Sequence, residues 1–248
     1  MNEDTTHFGF NEVSEGQKAG LVRGVFDSVA DKYDLMNDLM SLGAHRLWKE
    51  FAIQLSGVHP GSRVLDVAAG SGDLARLLAR RAGGEGSVTL TDINAAMLAK
   101  GREHMTDAGF LGNTHYVRAD AERLPFVPNY FDCVCMGFGL RNVTRQERAL
   151  ASIYSCLRPG GRALILEFSR PTTRMVQAIY DAYSFGVLPK LGKLVAGDEA
   201  SYQYLVESIR KHPAQEALKK MMQQVGFERV DVNNLAGGIV AVHTGYKF

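Results

Sequence analysis

A glycine-rich turn is the part of this sequence whose residue types and spacing point most directly to chemistry. Gly70, Ser71 and Gly72 follow an apolar run, and a stretch with helical spacing begins after them. Glycine lets the backbone turn sharply and approach a ligand closely, and a helix start offers unpaired amide donors. Open α/β sheets bind ligands at such a turn. The turn alone fits two cofactors, because Gly70-x-Gly72-x-x-Ala75 also satisfies the dinucleotide fingerprint.

Two acidic residues narrow the choice of cofactor. Asp92 ends the second predicted strand, about 20 residues beyond the turn, where a carboxylate accepts ribose hydroxyls in NAD enzymes as well. Asp66 comes just before the glycines, close to where the pyrophosphate of a dinucleotide would lie. A carboxylate there repels phosphate and attracts a cationic amino-acid moiety. S-adenosylmethionine carries an ammonium and a sulfonium and no phosphate, so Asp66 favours this cofactor.

Polar residues also follow the later predicted strands. Asp120 comes after the third strand, where its side chain and the amide of Ala121 would read an adenine edge. The alternative is that Asp120 only caps a helix. Arg141 and Asn142 follow the fourth strand, at the edge of the sheet where a substrate would meet the cofactor.

Motifs along most of the chain resemble small-molecule methyltransferases. Those typical of the class are LDVAAGSGD (65–73), TDIN (91–94) and LPF (124–126) leading to YFD (130–132). Others are similar to the ubiquinone/menaquinone biosynthesis C-methyltransferase family, namely YDLMNDLMSLG (33–43), FGLRNV (138–143), YDAYSF (180–185) with VLP (187–189), and the ending GYKF (245–248). The resemblance covers the chain from about residue 26 onward.

The resemblance implies that S-adenosylmethionine methylates a ring carbon of a polyprenylated benzoquinol or naphthoquinol. Carried over by position, the cofactor contacts of the family fall on Ser71, Asp92, Asp120, Ala121 and Gly137. Three of them depart from the forms expected in relatives, with Ser71 for threonine, Asp120 for asparagine and Gly137 for serine. Gly137 offers only its backbone.

The implied reaction needs a quinol hydroxyl to ionise, since a phenolate spreads its charge onto the ring carbon. A phenol has a pKa of about 10 and needs help near neutral pH. We assign Arg141, beside Asn142, to stabilise the phenolate, because arginine is a poor base; a structural surface pair is the alternative. Tyr33 is assigned to the substrate pocket, with core packing equally open. His45 fits packing better than a catalytic base.

The elements that must position these residues alternate in type. Short apolar runs predict strands at 63–67, 88–91, 115–118, 131–136 and 162–168. Helical spacing predicts helices at 73–81, 94–108, 144–157 and 213–225. This alternation predicts an α/β fold with a doubly wound, mostly parallel, Rossmann-like sheet. Two last strands, 227–233 and 239–246, are joined by AGG (236–238), so one edge is predicted to be antiparallel.

We predict a single methyltransferase domain over residues 1–248. Its segments are a loose N-terminus (1–20), a helical cap (21–58), a cofactor-binding core (60–170), an inserted lid (171–212), and a C-terminal helix and hairpin (213–248). The insertion is rich in aromatic and apolar residues, which suits a lid over a hydrophobic substrate. The alternative for this segment is a homodimer surface.

Composition limits the partners. The 28 basic and 27 acidic residues nearly cancel, so nucleic acid is disfavoured. No run reaches the roughly 18 apolar residues of a membrane span, no signal peptide is expected, and the three cysteines suggest neither a zinc site nor a disulfide framework. We predict a cytoplasmic protein without a metal. Because a prenyl tail partitions into lipid, we also predict transient contact with the inner face of a membrane or with a biosynthetic complex.

Two other function classes stay open at this point. An NAD(P)-dependent small-molecule reductase fits the glycine pattern of the turn. A non-catalytic protein that binds the cofactor and serves as a scaffold is the other, although the acids and the Arg141-Asn142 pair argue against it.

Overall fold

The computed structural model describes residues 4–29, 37–38, 41, 43–191 and 198–248. A short antiparallel hairpin of β1 (Thr5–Phe8) and β2 (Asn11–Ser14) comes first. The strands of the large sheet are β3 (Arg63–Val67), β4 (Ser87–Asp92), β5 (Thr114–Arg118), β6 (Phe131–Gly137), β7 (Leu157–Phe168), β8 (Glu228–Leu235) and β9 (Val240–Tyr246).

These seven strands are arranged in the order β5-β4-β3-β6-β7-β9-β8. Strands β3 to β7 run parallel, whereas β9 lies antiparallel between β7 and β8. The structure thus confirms the predicted doubly wound sheet and its antiparallel C-terminal edge.

Helices cover both faces of the sheet. They are α1 (Glu15–Val29), α2 (His45–Leu55), α3 (Asp73–Ala82), α4 (Ala95–Asp107), α5 (Gln146–Cys156), α6 (Arg174–Asp181), α7 (Leu188–Leu191), α8 (Glu199–Lys211) and α9 (Gln215–Val225). Alternate residues of each central strand face opposite apolar layers, as Val64 and Leu65 do. Strands covered on both faces are apolar almost throughout, which is why their positions could be predicted.

The carboxyl ends of the central strands meet at one edge of the sheet. In the register of the sheet, Val67 pairs with Thr91 of β4 and with Met136 of β6. The turn after β3, Asp92 at the end of β4 and Gly137 at the end of β6 therefore lie side by side. This edge is where the sequence analysis placed the cofactor.

The N-terminus is ordered from Thr5, so the predicted loose segment 1–20 was wrong for this part. The Phe8 ring stacks on the Tyr204 ring of α8, with centroids 4.2 Å apart. The backbone amide of Phe10 donates to the Glu207 carboxylate at 3.0 Å. Because these partners lie far along the chain, the local sequence carried no sign of the hairpin.

Two predicted boundaries also shift. Strand β7 begins at Leu157 rather than at 162, and α5 ends at Cys156. The segment PGG (159–161), which falls between the predicted helix and the predicted strand, lies inside β7 beside a register irregularity. The amide of Gly160 donates to the carbonyl of Lys247, so the last residues of the chain extend the pairing.

The insertion at 171–212 is largely helical in its described part, with α6, a π-helical turn at Ala182–Val187, α7 and α8. Helix α8 buries Tyr202, Leu205 and Ile209 against the core. Tyr33, predicted for the substrate pocket, lies outside the described residues. No helix within them is long and apolar enough to cross a membrane.

Candidate active site

A cavity of about 870 Å³, including its open mouth, lies at the carboxyl edge of the sheet. The loops after β3, β4, β5 and β6 form its floor, and α1 covers it with Val22 and Phe26. The predicted site residues that line it are Gly70, Asp92, Asp120, Ala121, Gly137 and Asn142. The structure therefore brings together most of the residues that sequence analysis selected.

Asp92 holds the glycine turn in place. Its Oδ2 accepts from the Gly70 amide at 2.9 Å, and its Oδ1 accepts from the Asn94 amide at 2.8 Å. Asn94 in turn caps α4. A carboxylate offers about four lone-pair directions, so Asp92 can still accept ribose hydroxyls. Burial raises the pKa of Asp92, and these amide hydrogen bonds oppose that rise.

The turn requires its glycines because of backbone conformation. Gly70 has φ of 55° and Gly72 has φ of 83°, the left-handed region that glycine adopts without penalty. A Cβ on Gly72 would also lie 3.4 Å from the backbone carbonyl of Gly101. Gly72 thus allows α3 to start close to α4 and keeps the turn tight.

Asp66 lies deeper than the other acids. It is almost completely buried, and among the described residues its Oδ2 has no hydrogen-bond partner. It faces a smaller space of about 320 Å³, which is also lined by Ser71 and Lys49. The two spaces share Gly137 and Phe138 as lining residues, so they adjoin.

We expect cofactor affinity to depend on pH through Asp66. Burial raises the pKa of Asp66 to about 8, so below that pH the empty protein holds mostly the neutral acid. An ammonium beside the carboxyl favours its ionisation, so binding releases a proton. Affinity for S-adenosylhomocysteine should therefore rise by up to about tenfold per pH unit between about pH 6 and 7.5, below the pKa of the ligand's amine. Titration calorimetry measures both the affinity and the proton release.

The control for this prediction is Asp66→Asn, which removes the titrating group but keeps its size. This variant should bind more weakly and with little pH dependence in the same range. An unchanged slope in Asp66→Asn would show that another group is responsible.

Asp120 combines the two roles that the sequence left open. Its Oδ1 accepts from the Glu122 amide at 2.9 Å and so caps the short turn Ala121–Arg123. Asp120 and Ala121 nevertheless both line the cavity. Capping fixes the loop and leaves Asp120 at the cavity wall.

Arg141 does not have the position predicted for it. Its Nη1 lies 2.9 Å from Glu167 Oε1 in a buried ion pair, and its backbone amide donates to Glu167 Oε2 at 3.2 Å. Nη1 also donates to the Phe138 carbonyl. Arg141 lines a separate polar space, shared with His212. Its Nη1 pairs with Glu167 and positions the loop, so the predicted contact with a phenolate stays a prediction that this position does not favour.

Asn142 is the member of the pair that reaches the main cavity. Its Oδ1 accepts from the Tyr204 hydroxyl of α8 at 3.0 Å. This leaves the amide N–H groups as the donors that Asn142 can offer to a substrate oxygen. Burial raises the pKa of Tyr204 to about 12, so its hydroxyl stays protonated.

Sequence analysis missed Lys49. This buried residue of α2 places its Nζ 2.6 Å from Asp73 Oδ2, next to the space that Asp66 faces. The one available signal was a lysine on the apolar face of an amphipathic helix. His45, on the same helix, is buried, and its Nε2 forms a hydrogen bond with Asp38 Oδ1 at 2.9 Å. This is what we expect of a packing residue.

The described residues include no group of three or more His, Cys, Asp or Glu side chains that could hold a metal ion. The three cysteines are buried and free.

Comparison with known proteins identifies a family and a fold. The model of the ubiE/COQ5 methyltransferase family matches residues 11–247. A relative from Yersinia enterocolitica, named ubiquinone/menaquinone biosynthesis C-methyltransferase UbiE, is 58% identical over 248 residues, which is 100% of this chain and 99% of the relative.

Two solved structures show the fold alone, because their sequence identity to this chain is low. The first, from Thermotoga maritima, is described as an S-adenosylmethionine-dependent methyltransferase and possible histamine N-methyltransferase. It has a TM-score of 0.62 at 17% identity, over 91% of this chain and 99% of that chain. The second is Haemonchus contortus phosphoethanolamine N-methyltransferase 2 in complex with S-adenosylmethionine. It has a TM-score of 0.58 at 18% identity, over 80% of this chain and 52% of that chain.

Proposed function

The chain belongs to the ubiE/COQ5 methyltransferase family, and from this membership we propose that it methylates a ring carbon of a polyprenylated quinol. The proposed acceptors are demethylmenaquinol, 2-polyprenyl-6-methoxy-1,4-benzoquinol, or both. The observation that carries the proposal is the 58% identity, over the full chain, to a relative named for ubiquinone/menaquinone biosynthesis. An NAD(P)-dependent reductase finds no support in the family or among the structural neighbours.

The residues of the cavity and of the smaller space beside it fit S-adenosylmethionine, the cofactor of this class of enzyme. Oδ2 of buried Asp66, which has no hydrogen-bond partner within the described part of the chain, suits an ammonium, and Asp92 suits the ribose hydroxyls. Asp120 and Ala121 line the same cavity, and their proposed role is to read the adenine edge. The bound cofactor supplies an electrophilic methyl group. The protein must then bring the acceptor carbon into line with that methyl and exclude water.

Asn142 and the apolar residues that line the cavity are the groups with which the protein would act on the methyl acceptor. Asn142 can donate to a quinol oxygen, and donors aimed at a developing negative charge favour ionisation of a phenol. Val22, Phe26 and Phe138 line the same cavity, so the reaction takes place away from bulk water. Arg141 acts on this chemistry indirectly, by fixing the loop that carries Asn142.

Quinone profiling of cells that lack this protein tests the proposal. We expect demethyl quinones to accumulate, and the wild-type chain to restore the methylated forms. If the protein were a scaffold without activity, a variant that cannot bind the cofactor would restore the methylated quinones as well as the wild-type chain does. A normal quinone profile in the deletion strain would contradict the proposal.

We further propose that α6, in the predicted lid segment, docks on an anionic membrane surface that holds the prenylated substrate. Every residue of α6 is described and none is buried. Met175 and Ile179 lie one turn apart and are 73% and 65% exposed. Exposed basic residues lie before α6, at its first position and in α7, namely Arg170, Arg174 and Lys190. An exposed apolar face combined with nearby basic residues in the sequence is typical of helices that lie in a membrane interface.

Met175→Asp combined with Ile179→Asp should weaken binding to vesicles that contain anionic lipid by at least about tenfold, since each side chain loses about 1.5 kcal/mol or more of apolar burial. Leu111→Asp is the matched control, because Leu111 is also 73% exposed but lies in the loop before β5. Vesicle flotation measures the effect. Unchanged flotation of the double variant, or conversion of a homodimer to a monomer with no change in flotation, would contradict membrane docking.

A further inference from the structure

Asn142 is held at the wall of the main cavity from two sides. Its backbone belongs to the short turn Leu140–Asn142, and its amide donates to the carbonyl of Gly139 at 3.1 Å. Its side-chain oxygen Oδ1 accepts from the hydroxyl of Tyr204 at 3.0 Å. Tyr204 belongs to α8 and lies 62 residues further along the chain, so this bond joins the turn after β6 to the predicted lid segment.

The N-terminal hairpin holds Tyr204 in its position. Tyr204 is 6% exposed, and its ring stacks on the Phe8 ring with the centroids 4.2 Å apart. The same hairpin is anchored on α8 a second time, because the Phe10 amide donates to the Glu207 carboxylate. The stacked ring keeps the hydroxyl of Tyr204 beside Asn142.

The hydroxyl of Tyr204 selects one orientation of the Asn142 side-chain amide. Burial raises the pKa of Tyr204 to about 12, while Arg141 and Glu167 act on this pKa in opposite directions, so the hydroxyl keeps its proton at neutral pH. Among the described residues, Asn142 Oδ1 is the acceptor for that proton. In the reversed amide, Nδ2 would face the hydroxyl, and the buried O–H would lack an acceptor, which is costly. Tyr204 therefore turns the two N–H donors of Asn142 away from itself.

We propose that Tyr204 is a positioning residue for methyl transfer, because it fixes the Asn142 amide with its N–H donors toward the methyl acceptor. Asn142 lines the main cavity, whereas Tyr204 lines the separate polar space on the other side of the turn. Tyr204 thus acts through Asn142 rather than on the acceptor itself. Its part in catalysis rests on the proposed function, whereas the orientation of the amide does not.

Tyr204→Phe tests this role, since it keeps the stacked ring and removes the hydroxyl. We expect kcat for quinol methylation at pH 7 to fall by about tenfold, the net effect of one hydrogen bond, while the affinity for S-adenosylhomocysteine stays within about twofold of the wild type. The loss should be smaller at pH 9, because a phenol closer to its ordinary pKa of about 10 needs less help from a donor. A merely structural role would not give this pH dependence.

Tyr202→Phe is the matched control. Tyr202 lies on the same helix and is completely buried, and its hydroxyl has no hydrogen-bond partner within the described part of the chain. This variant should leave kcat and its pH profile unchanged. In an Asn142→Ala background, Tyr204→Phe should change kcat by less than about twofold, because the group through which it acts is gone. Wild-type kcat in Tyr204→Phe, or an equal loss in both backgrounds, would overturn the role.

The orientation of the amide has a test that needs no turnover. The NMR signals of the Asn142 side-chain amide are identified by their absence in Asn142→Ala. In the wild type we expect these protons to show no strong nuclear Overhauser effect to the Tyr204 ring. A strong effect would show the reversed orientation and overturn the inference. If the wild-type protein methylates neither quinol, the proposed function fails, and the NMR result still decides the orientation by itself.

Discussion

Replacing Asp92 by alanine is expected to reduce cofactor affinity by more than about a hundredfold while the sheet stays folded. The carboxylate both holds the glycine turn, through the Gly70 amide at 2.9 Å, and faces the cavity in which we expect the ribose of the cofactor. Each hydrogen bond to a charged group contributes about 1.5–3 kcal/mol, and Asp92→Ala loses several of them. Titration with S-adenosylhomocysteine measures the loss, and circular dichroism checks the fold.

Asp92→Asn provides the control for this prediction. It keeps the shape and one acceptor oxygen but loses the charge, so its affinity should lie between those of the wild type and Asp92→Ala. Affinity in Asp92→Ala within about tenfold of the wild type would mean that Asp92 serves the turn alone.

Breaking the buried ion pair with Glu167→Ala is expected to lower the free energy of unfolding by about 3–5 kcal/mol. Arg141 is 7% exposed and Glu167 is 1% exposed, so the variant leaves a buried guanidinium without its carboxylate. The backbone amide of Arg141 loses an acceptor as well. Denaturant unfolding measures the change.

A surface pair and a double variant are the controls for the ion pair. Arg158→Ala removes the Arg158–Asp132 pair, in which Arg158 is 48% exposed, and should cost less than about 1 kcal/mol. Arg141→Leu combined with Glu167→Leu should recover part of the stability, since no charge is left unpaired, although the backbone amides of Arg141 and Phe168 still lose their acceptor. A loss below about 1 kcal/mol in Glu167→Ala would show that the pair is not held as described.

The central sheet could be predicted because helices cover both of its faces. Strand β3 was predicted at 63–67 and is observed over the same residues. The N-terminal hairpin could not be predicted, since its stabilising contact joins Phe8 to Tyr204 across almost the whole chain. Short polar strands of this kind depend on a tertiary partner rather than on a local pattern.

The site residues that could be predicted from the sequence are those that directly follow a strand, because that place in the chain indicates their role. Asp92 and Asp120 are such residues, and both line the cavity. The side-chain position of Arg141 was predicted wrongly, because the end of β6 determines where its backbone lies but not which residue its side chain contacts. That residue is Glu167, near the end of β7. Lys49 was missed because its neighbours Asp66 and Asp73 come from other elements.

The position of the transferred methyl group tests the central claim most directly. Purified protein is incubated with S-adenosylmethionine labelled with ¹³C in the methyl group and with chemically reduced demethylmenaquinone or the 2-polyprenyl-6-methoxy benzoquinol in detergent micelles. We expect NMR of the product to show the label bonded to a ring carbon, and no transfer by Asp92→Ala. Label on an oxygen, or no transfer to either quinol by protein that binds S-adenosylhomocysteine, would contradict the proposed C-methylation.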